Sequence, residues 1–240
     1  MVSNRKIILS FVVKKAESDL VSLAKQIAAQ AHAGQKRLFS NADYIIHPTR
    51  ISARLRAAGA SEVAQAAALL HDVLEDTELT EGDLLKVFPP QVVVFVKQLS
   101  KWWPDSADKE LIKTQNPLYL ENIKKSQETV IIKLHDISDN LDETRKELIK
   151  LLRTHRHTGS FSGKPREALL KLRRFLFRFA TKQKPLAEDL MAALGEDLNK
   201  AALDAIRHYQ TSTRQVTLAL EMVESELALS GIKLPPLEKP

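Results

Sequence analysis

Between Ala66 and Asp76 the chain reads AAALLHDVLED. On one helix turning about 100° per residue, His71, Asp72, Glu75 and Asp76 fall within about a 140° arc. Ala66, Ala67, Leu69, Leu70, Val73 and Leu74 take the opposite side. One face packs, and the other presents three carboxylates and an imidazole to one place. Groups of that kind repel one another when ionised unless a cation sits among them. The plain alternative is a solvated charged face at a helix end.

Two other segments carry donors of the same type. His47 stands in Tyr44-Ile45-Ile46-His47-Pro48, at the start of a helix, where a side chain can point inward. Asp136 closes Ile131-Ile132-Lys133-Leu134-His135-Asp136, with Asn140 one turn later and Lys133 one turn earlier on the same strip. Alone, a histidine before proline usually packs or caps, and a lone aspartate usually meets solvent. Together they supply the nitrogen and oxygen donors of a divalent-metal site. The chain has no cysteine, so a thiolate zinc site, a cysteine nucleophile and a disulfide framework are excluded. Any metal must be held by His, Asp, Glu or Asn.

The elements that position these residues read as helices throughout. The 3.6-residue pattern predicts helices over 17–33, 48–58, 62–75, 91–99, 118–126 and 129–152, with a short one capped by Thr80 before Pro89-Pro90. Residues 102–116 read as a loop or lid. Trp102-Trp103 there could close over a nucleotide base, or simply pack. A Ser, Gly, Thr and His-containing linker is expected over 154–165. Beyond it, helices are expected over 166–180, 187–194, 198–209 and 216–229, and the proline-containing end should fray. The expected fold is all-α: a catalytic helical domain over 1–153, the linker 154–165, and a helical C-terminal extension over 166–240. The extension would pack on the domain or form an oligomer contact.

Composition agrees. The 240 residues are 44% hydrophobic and 28% charged, the range of a soluble globular protein. Seven glycines and 5% aromatics argue against turn-rich β architectures. No apolar run approaches the roughly 20 residues of a membrane helix. The short apolar run Ile7–Val13 is followed by Lys14-Lys15, which suits a strand or arm better than a signal peptide. A cysteine-free soluble chain suits the cytoplasm.

The net charge of +6 is unevenly spread. Residues 145–184 hold 13 Lys/Arg against 2 Asp/Glu, a net of +11, which leaves 23 basic and 28 acidic residues elsewhere. An anionic partner would meet that stretch. Lys171, Arg173, Arg174 and Arg178 alternate there with Leu172, Phe175, Leu176 and Phe179. A solvated basic face, a grip on nucleotide phosphates and a nucleic-acid surface all fit the pattern. His155 and His157, without a nearby carboxylate, read as solvated.

The order His47, His71-Asp72, Asp136 resembles the HD-domain metal-dependent phosphohydrolases. It is most similar to the (p)ppGpp hydrolase domain of the RelA/SpoT enzymes and small alarmone hydrolases. The matching pieces are Ala31-His32-Ala33-Gly34-Gln35-Lys36-Arg37, the segments around His47, His71-Asp72 and Glu75-Asp76, and Ile132-Lys133-Leu134-His135-Asp136 with Asn140. This resemblance implies that His47, His71, Asp72 and Asp136 bind one divalent ion, in this branch Mn²⁺. It implies that Glu75 and Asp76 orient and deprotonate the attacking water, that Arg37 contacts the guanine base, and that Asn140 contacts the nucleoside. The implied reaction removes the 3′-pyrophosphate of ppGpp or pppGpp to leave GDP or GTP. The chain departs from the pattern at His135 and Ile137, where the family carries Ala and a basic residue. No synthetase domain is recognised. The alternatives are an HD phosphohydrolase for another nucleotide, such as a dNTP or NADPH, and a nucleic-acid- or protein-binding module with a vestigial HD site.

Overall fold

The computed structural model describes residues 19–103, 109–158 and 161–235. The run Ile7–Val13 and most of the proline-containing end lie outside them, as do Pro104, Asp105 and Asp108 of the expected lid. The fold is all-α, and the isolated bridge between Lys36 and Asp43 is the β-type pairing among the described residues. No described helix is long and apolar enough to cross a membrane.

Helix α1 (Leu20–Ala31) starts where the Asp19 carboxylate accepts from the Ser22 N–H at 2.7 Å. Helix α2 (Ile46–Ala57) carries His47 in its first turn. Helix α3 (Glu62–Leu70) is capped by Ser61 and buries nearly its whole length, as its alanine-rich sequence allows. Helix α4 (Val73–Asp76) follows directly. The continuous helix expected over 62–75 is therefore broken at His71 and Asp72, where the backbone turns. Helices α5 (Glu81–Leu85) and α6 (Pro90–Leu99) come next; Pro90, lacking an N–H, sits where none is needed.

Helix α7 (Lys109–Lys124) occupies part of the expected loop and carries Pro117 in its interior. The spine of the molecule is α8 (Gln127–Thr158). It extends past Leu152 into the expected linker because Leu152 and His155 are buried, and His155 Nε2 meets Ser230 Oγ at 3.1 Å. His155 is thus a packed residue, contrary to the solvated reading.

The chain returns through α9 (Lys164–Arg178), a π-helical turn (Phe179–Gln183) and α10 (Lys184–Ala193). Helix α11 (Lys200–Leu229) then runs parallel to α8. Gln127, His135, Asp142 and Arg156 of α8 meet Asn199, His208, Ser212 and Glu226 in that order. The seam of α11 buries Ala205, Tyr209, Ser212, Val216, Ala219, Val223 and Leu227, at the spacing of three and four that keeps one face toward a partner. Continuous burial along that seam carries α11 through 210–215, where two helices were expected. Among the basic residues of α9, Arg173 is buried and donates to Glu224 at 2.8 Å and to the Pro235 carbonyl at 2.9 Å.

Candidate metal centre and active site

His47 is buried at the start of α2, where one ring nitrogen faces each of two carboxylates of α8. Nδ1 lies 2.7 Å from Asp139 Oδ2, and Nε2 lies 3.1 Å from Asp136 Oδ1. Arg50, one turn along, grips the same Asp139 through two bonds of 2.6 and 2.7 Å. The doubly held carboxylate accepts from Nδ1–H, which turns Nε2 toward Asp136. This is the arrangement that orients a metal-ligating histidine.

His71 repeats the scheme with a backbone partner. Its Nδ1 donates to the Ala68 carbonyl at 2.8 Å, which presents Nε2 toward Asp72 Oδ2 at 2.8 Å and Asp136 Oδ1 at 4.0 Å. Despite the short approach, Nε2 is buried without a hydrogen-bond partner among the described residues. Burial alone would push this imidazole down, but the Asp72 charge outweighs it and raises the pKa to about 9. The carboxylates of Asp72 and Asp136 thus make this spot favourable for positive charge. Ligand atoms of His47, His71 and Asp136 all lie within 4.8 Å of one another. A group of two imidazoles and a carboxylate at this spacing can hold a divalent metal ion.

Asp72 reaches the group by a different route from the one helical geometry suggests. The break between α3 and α4 turns its side chain to accept from the Tyr44 hydroxyl. Burial and the Asp72 charge together raise the pKa of that phenol strongly, so it stays a donor. Asp72 thus stands beside His71 Nε2, just outside the trio of mutually close ligand atoms.

Burial opposes ionisation of Asp136, yet Lys133, His47 and His71 hold its carboxyl well below the usual range. Lys133 donates to Asp136 Oδ2 at 2.8 Å, and the Asn140 amide donates to Oδ1 at 2.9 Å. Asn140 in turn accepts from Arg37 at 2.6 Å, and Arg37 donates to Glu143 at 2.6 Å. Arg37, Asn140 and Asp136 therefore form one connected strip. The Arg37 guanidinium lies over the Tyr44 ring, 5.6 Å from its centre.

Glu75 and Asp76 follow on α4. Glu75 Oε1 accepts from the Lys101 backbone N–H at 2.8 Å, and its other oxygen lies 3.6 Å from the Lys101 ammonium. Asp76 is exposed, and its carbonyl accepts from Gln35 at 2.7 Å. His32 braces Gln35 at 2.8 Å, so the loop after α1 is tied to the end of α4. Gly34 makes that loop's first turn at φ +83°, a conformation that costs other residues strain.

Asp139, Tyr44, Arg50 and Glu143 were not singled out from sequence. A signal existed for two of them: Lys133, Asp136, Asp139, Asn140 and Glu143 recur at three- and four-residue steps on one face of α8. His135 faces away from this strip, its Nδ1 2.9 Å from that of His208. It pairs elsewhere, as its angular offset from Asp136 predicts. Trp102 and Trp103 meet edge-to-face at 5.3 Å, and Trp103 packs on Tyr119 at 5.8 Å.

The family model described as "HD domain" matches residues 24–161. A probable guanosine-3′,5′-bis(diphosphate) 3′-pyrophosphohydrolase of Mycoplasma pneumoniae is 32% identical over 130 residues, 51% of this chain and 18% of that protein. The guanosine-3′,5′-bis(diphosphate) 3′-pyrophosphohydrolase of Haemophilus influenzae is 35% identical over 122 residues, 48% of this chain and 17% of its own length. The matched region thus spans under a fifth of these curated relatives. A solved structure titled "A metazoan ortholog of SpoT hydrolyzes ppGpp and plays a role in starvation responses" superposes with a TM-score of 0.52 at 24% identity, over 81% of this chain and 96% of that one. That likeness concerns the fold. With the family match running from α1 to the end of α8 and enclosing the buried group of His47, His71 and Asp136, the chain belongs to the HD-domain family.

Proposed function

We propose that this chain is a metal-dependent phosphohydrolase that removes the 3′-pyrophosphate of guanosine alarmones, converting ppGpp or pppGpp to GDP or GTP and pyrophosphate. The observation that carries the reading is the buried trio His47, His71 and Asp136, with Asp72 beside His71 Nε2. The names and the matched region of the bacterial relatives support the substrate class.

In this reading His47, His71, Asp72 and Asp136 hold one divalent ion, Mn²⁺ being our assignment for this mixed nitrogen and oxygen set. When bound, the ion supplies Lewis acidity, lowering the pKa of water and offsetting charge on phosphoryl oxygens. Asp139 and the Ala68 carbonyl keep each imidazole in the tautomer that presents Nε2. Glu75 takes the proton of the attacking water; the Lys101 backbone N–H fixes one of its oxygens and leaves the other directed by the ammonium. Asp76 assists in orienting that water. Lys133 stands against Asp136 with its charge intact, because burial is outweighed by the neighbouring carboxylate, and it faces incoming phosphate. Asn140 contacts the nucleoside. Arg37 offers the guanine base the guanidinium face turned away from Tyr44, and Glu143 holds that guanidinium in place.

The test is product analysis of the purified chain with Mn²⁺ and ppGpp, beside Glu75→Ala. The expected result is release of GDP and pyrophosphate by the wild type, with the variant at least about a hundred-fold slower. Bound metal with no ppGpp turnover would reject the alarmone and direct the search to other nucleotides, dNTPs and NADPH included.

A further inference from the structure

A cavity of about 860 Å³ opens beside the metal group, between α7, α8 and the chain connecting α9 to α10. It lies in the range of small-molecule and cofactor pockets, about 300–1,000 Å³. It begins at Lys133, whose ammonium is 2.8 Å from Asp136, and at Lys101, whose backbone fixes Glu75. Its far wall comes from the C-terminal extension, through Lys182, Gln183 and Leu186.

Several features mark this cavity as built for a ligand. Lys101, Lys133 and Lys182 converge on the cavity from three different elements. Asp189, the carboxylate of the lining, is already paired with Lys124 at 2.8 Å. Lys182 itself is exposed and has no carboxylate partner among the described residues. Gln183 carries a buried side-chain carbonyl oxygen without a hydrogen-bond partner among the described residues. Both residues sit in the π-helical turn Phe179–Gln183, where the Lys184 N–H reaches back to the Phe179 carbonyl and Pro185 offers no N–H to restore α-helical bonding. A π turn inserted in a helix is a local departure from the best hydrogen bonding and is frequent at functional sites.

We propose that the C-terminal extension completes the substrate pocket, with Lys182 binding a phosphate group of the substrate and Gln183 Oε1 accepting a hydrogen bond from the ligand. The diphosphate that leaves the metal group passes into this cavity between Lys133 and Lys182. The inference deepens the guanosine-polyphosphate reading and rests on it for the identity of the nucleotide. It assigns a binding role to a segment outside the matched HD region, which ends at residue 161.

The test compares the full chain with Lys182→Ala and Lys184→Ala, which remove the same charge two residues apart; Lys184 does not line the cavity. In ppGpp hydrolysis, Lys182→Ala should raise KM about ten-fold with kcat within about two-fold, the loss of one charged phosphate contact. Lys184→Ala should match the wild type. Binding of inorganic pyrophosphate, followed by calorimetry with Mn²⁺ present, is the second readout. It should weaken about ten-fold in Lys182→Ala alone. If ppGpp is not a substrate, that pyrophosphate difference still supports the wall and only the nucleotide assignment fails. Equal pyrophosphate affinity in all three proteins overturns the proposal.

Discussion

Asp139 shows what a single buried side chain contributes to this site. Burial raises a carboxyl pKa, but His47 and Arg50 hold Asp139 well below the usual range, so it remains an acceptor for His47 Nδ1–H. Asp139→Asn should weaken Mn²⁺ binding by about 10- to 100-fold without touching a ligand atom, as outer partners of ligating histidines do. Competition with a metal indicator would measure it, and wild-type affinity in the variant would contradict the role. At this scale the sequence was informative about residue types and mute about their partners. His47, His71, Asp136, Arg37 and Asn140 could be picked by motif, whereas Asp139 and Tyr44 take their meaning from partners 92 and 28 residues away.

The elements were legible where local chemistry decides and illegible where packing does. Thr80 was visible as a cap, and it forms a reciprocal box with Asp83. The Asp83 carboxylate accepts from Lys86 and Thr80, which lowers its pKa from 3.8 to about 2. Its stabilising effect is therefore fully present above pH 3.8 and is lost as pH falls through about 2. Asp83→Ala should cost about 1 kcal/mol near neutral pH. Urea midpoints of the two proteins should converge as pH drops from 3.8 to about 2; a gap that stays constant would show that the charge is not involved. The break at His71-Asp72 carries no glycine or proline to announce it, and it is set by what those side chains reach. Helix α11 has a polar stretch, Gln210 to Arg214, that reads as a boundary until α8 supplies a partner for Ser212 through Asp142 at 2.8 Å.

At the scale of the molecule, α8 belongs to both halves: one face carries Lys133, Asp136, Asp139 and Asn140, and another seats α11. Loosening the seam should therefore disturb the site. Leu227→Ala, at a buried seam position, should cost about 2–5 kcal/mol. Loss of helicity and loss of bound Mn²⁺ on heating should shift together in that variant. A C-terminal transition that melts apart from metal loss would show that the halves are independent. The charge asymmetry seen in the sequence resolves in the same frame. Part of the basic stretch is consumed internally, Arg173 by Glu224 and Arg156 by Glu226, and Lys182 is delivered to the cavity that Lys133 lines.

If His47, His71 and Asp136, with Asp72, form one metal site, removing either His71 or Asp136 should empty it. The most direct measurement is Mn²⁺ binding followed by electron paramagnetic resonance for the wild type, His71→Ala and Asp136→Ala, each confirmed folded by circular dichroism. One tightly bound Mn²⁺ per chain is expected in the wild type, and its loss in both variants. Equal stoichiometry and affinity in the folded variants would contradict it.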